Sequence, residues 1–272
     1  MSARPTLFGI LNITEDSFSD GGRFLDPDAA LAHARNLVGN GADVIDVGAA
    51  SSNPRSVFVA PELEIARLAP VVEAMKSEAY TVSIDSFSSV VQHWAISQKV
   101  GYLNDIAGFA DAELYPHLAD SDCRLVVMHS VQGGPARERI HVPPEEILGR
   151  IMQFFEPRLS ALEKAGIRRD RLIADPGMGV FLSTDPEASF AVLRGIAELK
   201  KRLGLPVLIS VSRKSFLRGF LGKKPAEAGP ASLAAELFAV SQGADFIRTH
   251  DPGALKDALA VTGRLELPAN VS

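Results

Sequence analysis

Short apolar runs recur along the chain, and each one stops at polar residues that a strand core does not usually bury. Six of the runs end at Asn12, Asp46, Asp85, Asn104 with Asp105, His129 and Asp175. Two more end at Ser212-Arg213-Lys214 and at Arg248-Thr249-His250. The runs are nearly continuous rather than alternating, which is typical of parallel strands covered on both faces. Eight such strands, with polar side chains at their C-terminal ends, predict a (β/α)₈ TIM barrel and an enzyme with its site at that face.

Strands and helices are expected to alternate along the whole sequence. The predicted strands are 7–13, 43–48, 81–85, 102–106, 124–129, 172–175, 207–212 and 246–250. The segments with helical spacing are 27–40, 61–79, 88–99, 112–119, 144–165, 186–203, 230–242 and 252–264. Prolines lie near several helix starts and glycines near several helix ends, where each is tolerated best. Long loops are expected at 14–24, 49–60, 130–143 and 176–185.

Composition agrees with one globular domain over residues 1–272. A single barrel needs roughly 250 residues, and the chain has 272, of which 46% are apolar and 22% charged. This balance excludes an intrinsically disordered chain. The formal net charge is −5, without a long run of one sign, so the sequence gives no indication of a nucleic-acid or membrane partner.

A single cysteine, Cys123, excludes an internal disulfide and any cysteine cluster for a metal. It favours a reducing compartment. The segment before the first strand is too short and too polar for a signal peptide or a membrane span. We therefore expect a cytoplasmic protein.

Basic residues cluster at the ends of the last two strands. Lys214 follows Ser212-Arg213, and Arg248 and His250 alternate, so the last two side chains can face the same interior. Loops after strands seven and eight of such barrels frequently bind phosphate, and a following helix adds its N-terminal dipole. The pattern favours an anion site. The alternative is that these cations are surface residues or partners for nearby acids.

Acids and an amide end the strands in the middle of the chain. Asp85 and Asp175 end the third and sixth predicted strands, and Asn104 ends the fourth. Buried acids need partners, and a ligand with several N–H donors on a ring edge, such as a pterin or a purine, would satisfy two carboxylates and an amide. The alternative is that Asp85 and Asp175 pair with Lys214 or Arg248 and close the barrel.

Four segments of the chain resemble the dihydropteroate synthase family. They read GILNITEDSFSDGG at 9–22, GADVIDVG at 41–48, DPGMG at 175–179 and SRKS at 212–215. Arg248-Thr249-His250 adds to them, and the resemblance covers nearly the whole chain. It implies condensation of a dihydropterin hydroxymethyl pyrophosphate with p-aminobenzoate, giving dihydropteroate and pyrophosphate in folate synthesis.

The resemblance implies a role for each matched residue. Pterin binding is expected from Asp85, Asn104, Met128, Asp175, Lys214 and Arg248. Pyrophosphate binding is expected from Asn12, Arg248 and His250, with Asn12 also contacting the cofactor Mg²⁺. The aminobenzoate pocket is expected to include Phe18, Ser52, Pro54, Phe181 and Ser212. The expected catalytic residues are Asp20, in a mobile first loop, with Lys214 and Arg248.

Two departures from the usual family pattern fall in the aminobenzoate region. Residues 51–54 read Ser-Ser-Asn-Pro where most such synthases have Ser-Thr-Arg-Pro, and the loop after Asp175 is two residues longer and lacks the usual lysine. Both are similar to the sulfonamide-insensitive branch carried on mobile resistance elements. A longer loop with a bulky apolar side chain could crowd a sulfonamide and spare aminobenzoate. That branch has two adjacent phenylalanines, and this chain has Val180-Phe181, so the filter is expected to be weaker or absent.

Two other functions share part of this pattern. A barrel that binds reduced pterins for methyl transfer to a corrinoid partner would use Asp85, Asn104 and Asp175 but would not need Asn12, Arg248 and His250. A non-catalytic pterin-binding homologue would be expected to lose Asp20 or Lys214, and both are present. The synthase is therefore preferred. The family is commonly dimeric, and apolar positions in 230–242 and 252–264 would allow a homodimer.

Overall fold

The computed structural model describes residues 4–14, 26–50, 59–135 and 138–265. Its eight strands are β1 (Thr6–Asn12), β2 (Val44–Gly48), β3 (Val82–Asp85), β4 (Tyr102–Asp105), β5 (Arg124–Met128), β6 (Leu172–Asp175), β7 (Leu208–Ile209) and β8 (Phe246–Thr249). All neighbouring strands are parallel, in the order β6-β5-β4-β3-β2-β1-β8-β7. A parallel bridge between Ala174 and Val207 joins the two ends. The predicted single (β/α)₈ barrel is confirmed.

Helices follow the strands and cover the outer face of the sheet. They are α1 (Pro27–Gly39), α2 (Pro61–Ser77), α3 (Ser89–Ser97), α4 (Tyr115–Ala119), α5 (Ile147–Lys164), α6 (Pro186–Arg194), α7 (Ile196–Leu203), α8 (Ser215–Leu221), α9 (Gly229–Ser241) and α10 (Pro252–Leu265). Short 3₁₀ turns lie at Ala112–Leu114, Arg169–Arg171, Gly179–Phe181 and Pro225–Glu227. Within the described ranges, no helix combines the length and apolar character needed to cross a membrane.

Three elements differ from the sequence expectation. The predicted helix 186–203 is two helices that meet at Gly195, where a Cβ atom would lie 2.8 Å from a methyl carbon of Leu148. The helix α8 was not predicted, because seven residues ending at Gly222, with φ 64°, are too few to show a helical period. The strand β7 has two residues instead of six, since the chain turns at Arg213, which has φ 57°.

The inner face of the barrel changes character along each strand. Its lower layer, here called the barrel floor, consists of Phe8, Val44, Tyr102, Val126, Ile173, Leu208 and Phe246. Side chains two residues apart share one face of a strand. Beginning from Val44, each floor residue is followed two positions later by a residue of the barrel mouth. In the same order, these are Asp46, Asn104, Met128, Asp175, Ser210 and Arg248. The same inward register therefore gives an apolar floor and, at the C-terminal ends, a mostly polar barrel mouth.

Aromatic rings close the barrel floor. The Phe8 ring lies edge-on to Tyr102 and Phe246, with centroid distances of 5.0 and 5.8 Å. The Arg124 guanidinium lies 5.1 Å from the centre of the Phe246 ring. Outside the sheet, a larger apolar cluster packs the opposite strand faces against the helices. Below its mouth, the barrel is thus a filled core.

Candidate active site

Arg248 joins two carboxylates at the barrel mouth. Its Nε donates to Asp46 of β2, and its Nη2 donates to Asp85 at the end of β3 across 2.6 Å. Burial lowers the pKa of Arg248, but Asp46 and Asp85 outweigh burial and raise it above the usual value. The ion pair with Asp85 was the structural alternative to ligand binding. This ion pair fixes the Arg248 guanidinium in the barrel mouth. The polar groups that Arg248 does not bind are the ones left for a ligand.

Several buried polar atoms of the mouth lack a protein partner. The Nδ2 of Asn104 donates to Asp46 across 3.4 Å. The Oδ1 atoms of Asn104 and Asp46 have no hydrogen-bond partner among the described residues. Both residues are at least 96% buried, with exposures of 4% and 0%. Buried acceptors without donors are costly, so these atoms suit a ligand that brings N–H groups or water.

Asp175 is held by the turn that follows it. Its Oδ1 accepts a hydrogen bond from the Gly177 N–H across 2.8 Å. Gly177 has φ 74°, and a Cβ atom there would lie 2.3 Å from the His129 carbonyl oxygen, so only glycine fits. The His129 Nδ1 lies 2.9 Å from the Pro176 carbonyl oxygen, and burial lowers the pKa of His129 to about 4. His129 is thus a neutral residue that supports the turn.

Lys214, which follows β7, and Phe181, which follows β6, form the wall of the barrel mouth beside Asp175. The Lys214 Nζ lies 4.9 Å from the centre of the Phe181 ring, within the range of a cation–π contact. Phe181 is 6% exposed and packs with Ile106 and Met128. The neighbouring Val180 is 43% exposed. The predicted apolar pair therefore points in two directions, and only Phe181 reaches the wall of the mouth.

The ionisable groups of the mouth have shifted pKa values. Burial raises the pKa of Asp85 to about 7, although Arg248 opposes the rise. Burial also raises the pKa of Asp175 to about 6, against the Gly177 hydrogen bond and Lys214. Burial and the neighbouring Arg248 lower the pKa of Lys214 to about 8. Three groups thus titrate near neutral pH, as is common in active sites.

A second group of residues lies where the ends of β7 and β8 meet. The His250 N–H donates to the Ser212 Oγ across 3.2 Å, and the His250 Nδ1 lies 3.0 Å from the same oxygen. Burial and the charges of Arg213, Arg248 and Lys214 lower the pKa of His250 well below its usual value. The cations Arg213, Arg248 and Lys214 around His250 and Ser212 make this group of residues, here called the anion corner, a suitable place for an anion. The N-terminus of α10 follows two residues later.

The remaining expected site residues fall into two groups. Asn12 ends β1 opposite Gly48 of β2, at the same rim. Phe18, Asp20, Ser52 and Pro54 lie outside the described residues. No group of three or more His, Cys, Asp or Glu side chains suited to a metal occurs in the described ranges.

One important residue was not assigned a role from sequence. Asp46 was recognised as a polar strand end, but its bonds to Arg248 and Asn104 connect β2, β4 and β8. Its position two residues after the floor residue Val44 was the available signal. The Ser212 hydroxyl contacts His250, and its expected role in the aminobenzoate pocket stays a prediction.

The sequence matches the family described as pterin binding enzyme over residues 8–250. It is 55% identical over 265 residues to the dihydropteroate synthase type-2 of Escherichia coli, covering 97% of each chain. It is 35% identical to the dihydropteroate synthase of Neisseria meningitidis serogroup B, covering 95% of this chain and 92% of the other. The chain is thus more similar to the type-2 synthase of Escherichia coli than to the synthase of Neisseria meningitidis.

A similar solved structure is the dihydropteroate synthase of Xanthomonas albilineans with 4-aminobenzoic acid. Its TM-score is 0.88 at 33% identity, with 98% of this chain and 95% of that chain covered. The similarity to this synthase, in sequence and in backbone structure, therefore extends over almost the full length of the chain.

Proposed function

Because the chain belongs to the dihydropteroate synthase family, we propose that its barrel mouth condenses a dihydropterin hydroxymethyl pyrophosphate with p-aminobenzoate. One observation carries this proposal. The acceptors Asp85, Asn104 and Asp175 lie on β3, β4 and β6, and cationic residues at the ends of β7 and β8 lie at the same mouth. The acceptors match the N–H edge of a pterin, and the cations match pyrophosphate.

The pterin would bind by hydrogen bonds from its ring edge to carboxylate and amide oxygens. The unpaired Oδ1 of Asn104 and the carboxylates of Asp85 and Asp175 would accept from ring N–H groups. Lys214 would donate to a ring acceptor, and Met128 would pack against the ring. The contact with the Asn104 Oδ1 would satisfy an atom that is buried without a partner among the described residues, which favours a donor-rich ring over an apolar one.

The anion corner would assist departure of pyrophosphate. Asn12, Arg248 and His250 would bind it. The bond between the exocyclic methylene carbon and the ester oxygen breaks, and its electron pair leaves with pyrophosphate. The resulting cation is conjugated into the dihydropterin ring. The amine nitrogen of aminobenzoate then bonds to that carbon and loses a proton, which the departing pyrophosphate can accept. An aromatic amine is neutral at pH 7, so the site has only to orient it and exclude water.

Mg²⁺ is the proposed cofactor, and the residues present fit it. Mg²⁺ commonly takes one or two protein oxygens together with substrate phosphates and keeps several waters. Asn12, at the end of β1, would supply one amide oxygen beside the proposed pyrophosphate position. When bound, the ion would neutralise charge on the leaving group.

The aminobenzoate pocket is proposed at the loops above Phe181. Phe18, Ser52 and Pro54, which lie outside the described residues, would line it, and Asp20, also outside them, would act in catalysis. Ser212 would also line it, with a hydroxyl that contacts His250 as well.

Reduced sulfonamide sensitivity is the finer proposal for the same pocket. A sulfonamide extends beyond the volume of aminobenzoate, and Phe181 occupies the wall with Met128 and Ile106 behind it. The higher identity to the type-2 synthase supports this assignment.

A homodimer is proposed through α9 and α10. Phe238 of α9 is 41% exposed, and Val261 and Leu265 of α10 are 60% and 78% exposed. Such exposed apolar side chains on two packed helices suit a subunit contact. Sedimentation equilibrium of the wild type and of Val261→Glu would test it, since the charge should shift the protein toward the monomer.

The decisive experiment is pyrophosphate release by purified protein with the pterin pyrophosphate, p-aminobenzoate and Mg²⁺. We expect release only when aminobenzoate is present. A sulfonamide added in competition separates the two levels of the proposal. Pyrophosphate release that persists at high sulfonamide concentration supports both the synthase activity and the reduced sulfonamide sensitivity. Release that stops at low sulfonamide concentration supports the synthase activity and contradicts the reduced sensitivity. No release at all would contradict the synthase.

A further inference from the structure

Two side chains of α5, Phe154 and Arg158, have no place in the mechanism above. Phe154 is half-buried against the helix-layer core, and the Arg158 guanidinium, one helical turn later, lies 5.6 Å from the centre of its ring. Both side chains contact residues that immediately follow strands of the barrel. The strands concerned are β4, which carries Asn104, and β5, which carries Met128. The contacts of this α5 pair therefore bear on the barrel mouth.

Arg158 binds the turn after β4. Its Nη1 donates to the Gly108 carbonyl across 2.8 Å. Gly108 has φ 64°, and a Cβ atom there would lie 2.6 Å from Cζ of Phe154, so only glycine allows this approach. Inside the same turn, the buried Asp105 carboxylate accepts a hydrogen bond from the Phe109 N–H across 2.7 Å. The turn is therefore held by α5 on one side and by the last residue of β4 on the other.

Phe154 also contacts the side chain that supports the end of β6. Its ring lies edge-on to the His129 ring, with a centroid distance of 5.3 Å. The His129 Nδ1 lies 2.9 Å from the Pro176 carbonyl oxygen. Because a carbonyl oxygen can only accept, Nδ1 carries the hydrogen and donates it. The His129 backbone N–H donates to the Asp175 carbonyl across 2.8 Å, so His129 binds two consecutive carbonyls at the end of β6.

His129, Phe154 and Arg158, here called the α5 stack, thus contact the ends of the strands that carry Asn104 and Asp175. The two acceptors lie on either side of β5, and both would have to meet the edge of one planar ligand. Their spacing then matters as much as the position of either one. We propose that the α5 stack positions Asn104 and Asp175 relative to each other for the pterin ring.

The members of the α5 stack are positioning residues. Phe154 and Arg158 lie on a helix outside the sheet, and by alternation along β5 the His129 side chain faces the helix layer. None of the three would contact the substrate. The inference rests on the proposed function, because it assigns the acceptors of the mouth to a pterin.

One pair of substitutions tests the contact with the turn after β4. Arg158→Met removes the guanidinium and keeps an unbranched side chain. Arg158→Lys keeps a cation beside Phe154 and a donor for the Gly108 carbonyl. The matched control is Arg150→Met on the same helix, where the Arg150 side chain is 50% exposed and pairs with Glu146 one turn earlier.

A second pair of substitutions tests His129. His129→Leu keeps an apolar side chain against Phe154 and removes the donor to the Pro176 carbonyl. His129→Asn loses the ring and keeps an N–H group near the place of Nδ1. Urea denaturation shows first which variants are folded at the assay temperature, and either pair decides the inference if the other does not fold.

The readout is binding of two separate probes by calorimetry in the presence of Mg²⁺. The probe 6-hydroxymethyl-7,8-dihydropterin, without its pyrophosphate, reports the pterin half, and inorganic pyrophosphate reports the anion corner. We expect Arg158→Met and His129→Leu to weaken pterin binding about tenfold and pyrophosphate binding less than about twofold. Arg158→Lys, His129→Asn and Arg150→Met should stay near wild type for both probes.

The outcomes separate this inference from the proposed function. Unchanged pterin affinity in folded Arg158→Met or in folded His129→Leu would overturn the positioning role. Equal losses for both probes would also overturn it, because they indicate general disorder. Wild-type turnover tests the reaction itself. If wild type binds both probes but releases no pyrophosphate from the substrates, the proposed function fails, and the binding data still decide the role of the α5 stack. A wild type that binds no pterin would overturn both.

Discussion

The floor and the mouth of the barrel are built by the same strands and differ in what those strands place inside. At the floor, the Phe8 ring packs edge-on against the rings of Tyr102 and Phe246. Two residues further along β8, Arg248 instead joins two carboxylates. The floor gains stability from burial, whereas the mouth holds desolvated charges that are costly without a ligand. One inward register thus serves stability at one end and chemistry at the other.

Removing the central cation should separate the two ends most strongly. We expect Arg248→Met to lower kcat/KM by on the order of 10³-fold or more, because it removes leaving-group stabilisation and leaves Asp46 and Asp85 without their cation. Steady-state pyrophosphate release measures this. The matched control is Arg124→Met at the floor, which should keep kcat/KM within about twofold for folded enzyme. A similar loss in both variants would contradict the division.

The reverse experiment removes a floor ring. Phe8→Ala should lower the free energy of unfolding by about 3 kcal/mol, since it leaves a cavity below Tyr102 and Phe246. Urea denaturation gives this value. At a temperature where the variant is folded, the KM for the pterin substrate should remain close to wild type. A KM that rises together with the loss of stability would show that the floor shapes the pterin site.

A smaller change is expected at the wall of the mouth. Phe181→Ala should increase sulfonamide affinity about tenfold, because it frees volume beside Met128 that a drug can occupy. The control is Val180→Ala, since Val180 is exposed and should leave inhibition unchanged. Competitive inhibition constants against aminobenzoate measure both. If Val180→Ala has the larger effect, the outward residue is the filter.

The smallest effect is a pH dependence carried by Asp175. Its folded-state pKa is raised to about 6, so the protonated form contributes stability that is fully present below the unfolded-state pKa of roughly 4 and is lost as pH rises through 6. Denaturant midpoints should therefore fall between pH 4 and 7 more steeply in wild type than in Asp175→Asn. Pterin binding should change in the opposite direction, because ring N–H groups favour the ionised carboxylate. Identical pH slopes in the two proteins would remove this assignment.

The sequence predicted the barrel and much of the mouth because polar residues interrupt apolar runs locally. Asp85, Asn104, Asp175 and Arg248 were recognised by this signal alone. The pairing of Asp46 with Arg248 was not, since a local pattern shows which strand ends are polar but not which ones meet across a barrel.

Other misses have similar causes. The break at Gly195 depends on the approach of Leu148 from α5, a tertiary contact that no local period contains. The roles of Phe18, Asp20, Ser52 and Pro54 stay predictions from resemblance.

The joint between β6 and β7 is the place where we expect the barrel to open locally. A single bridge and the hydrogen bond from Ala174 to Pro206 join these strands, whereas β1 and β2 pair over five residues. This joint lies below Asp175 on one side and Lys214 on the other. Amide hydrogens there should exchange with solvent earlier than those of β1 and β2. A ligand bound by both Asp175 and Lys214 would hold β6 and β7 together. Bound substrate should therefore slow amide hydrogen exchange in these two strands.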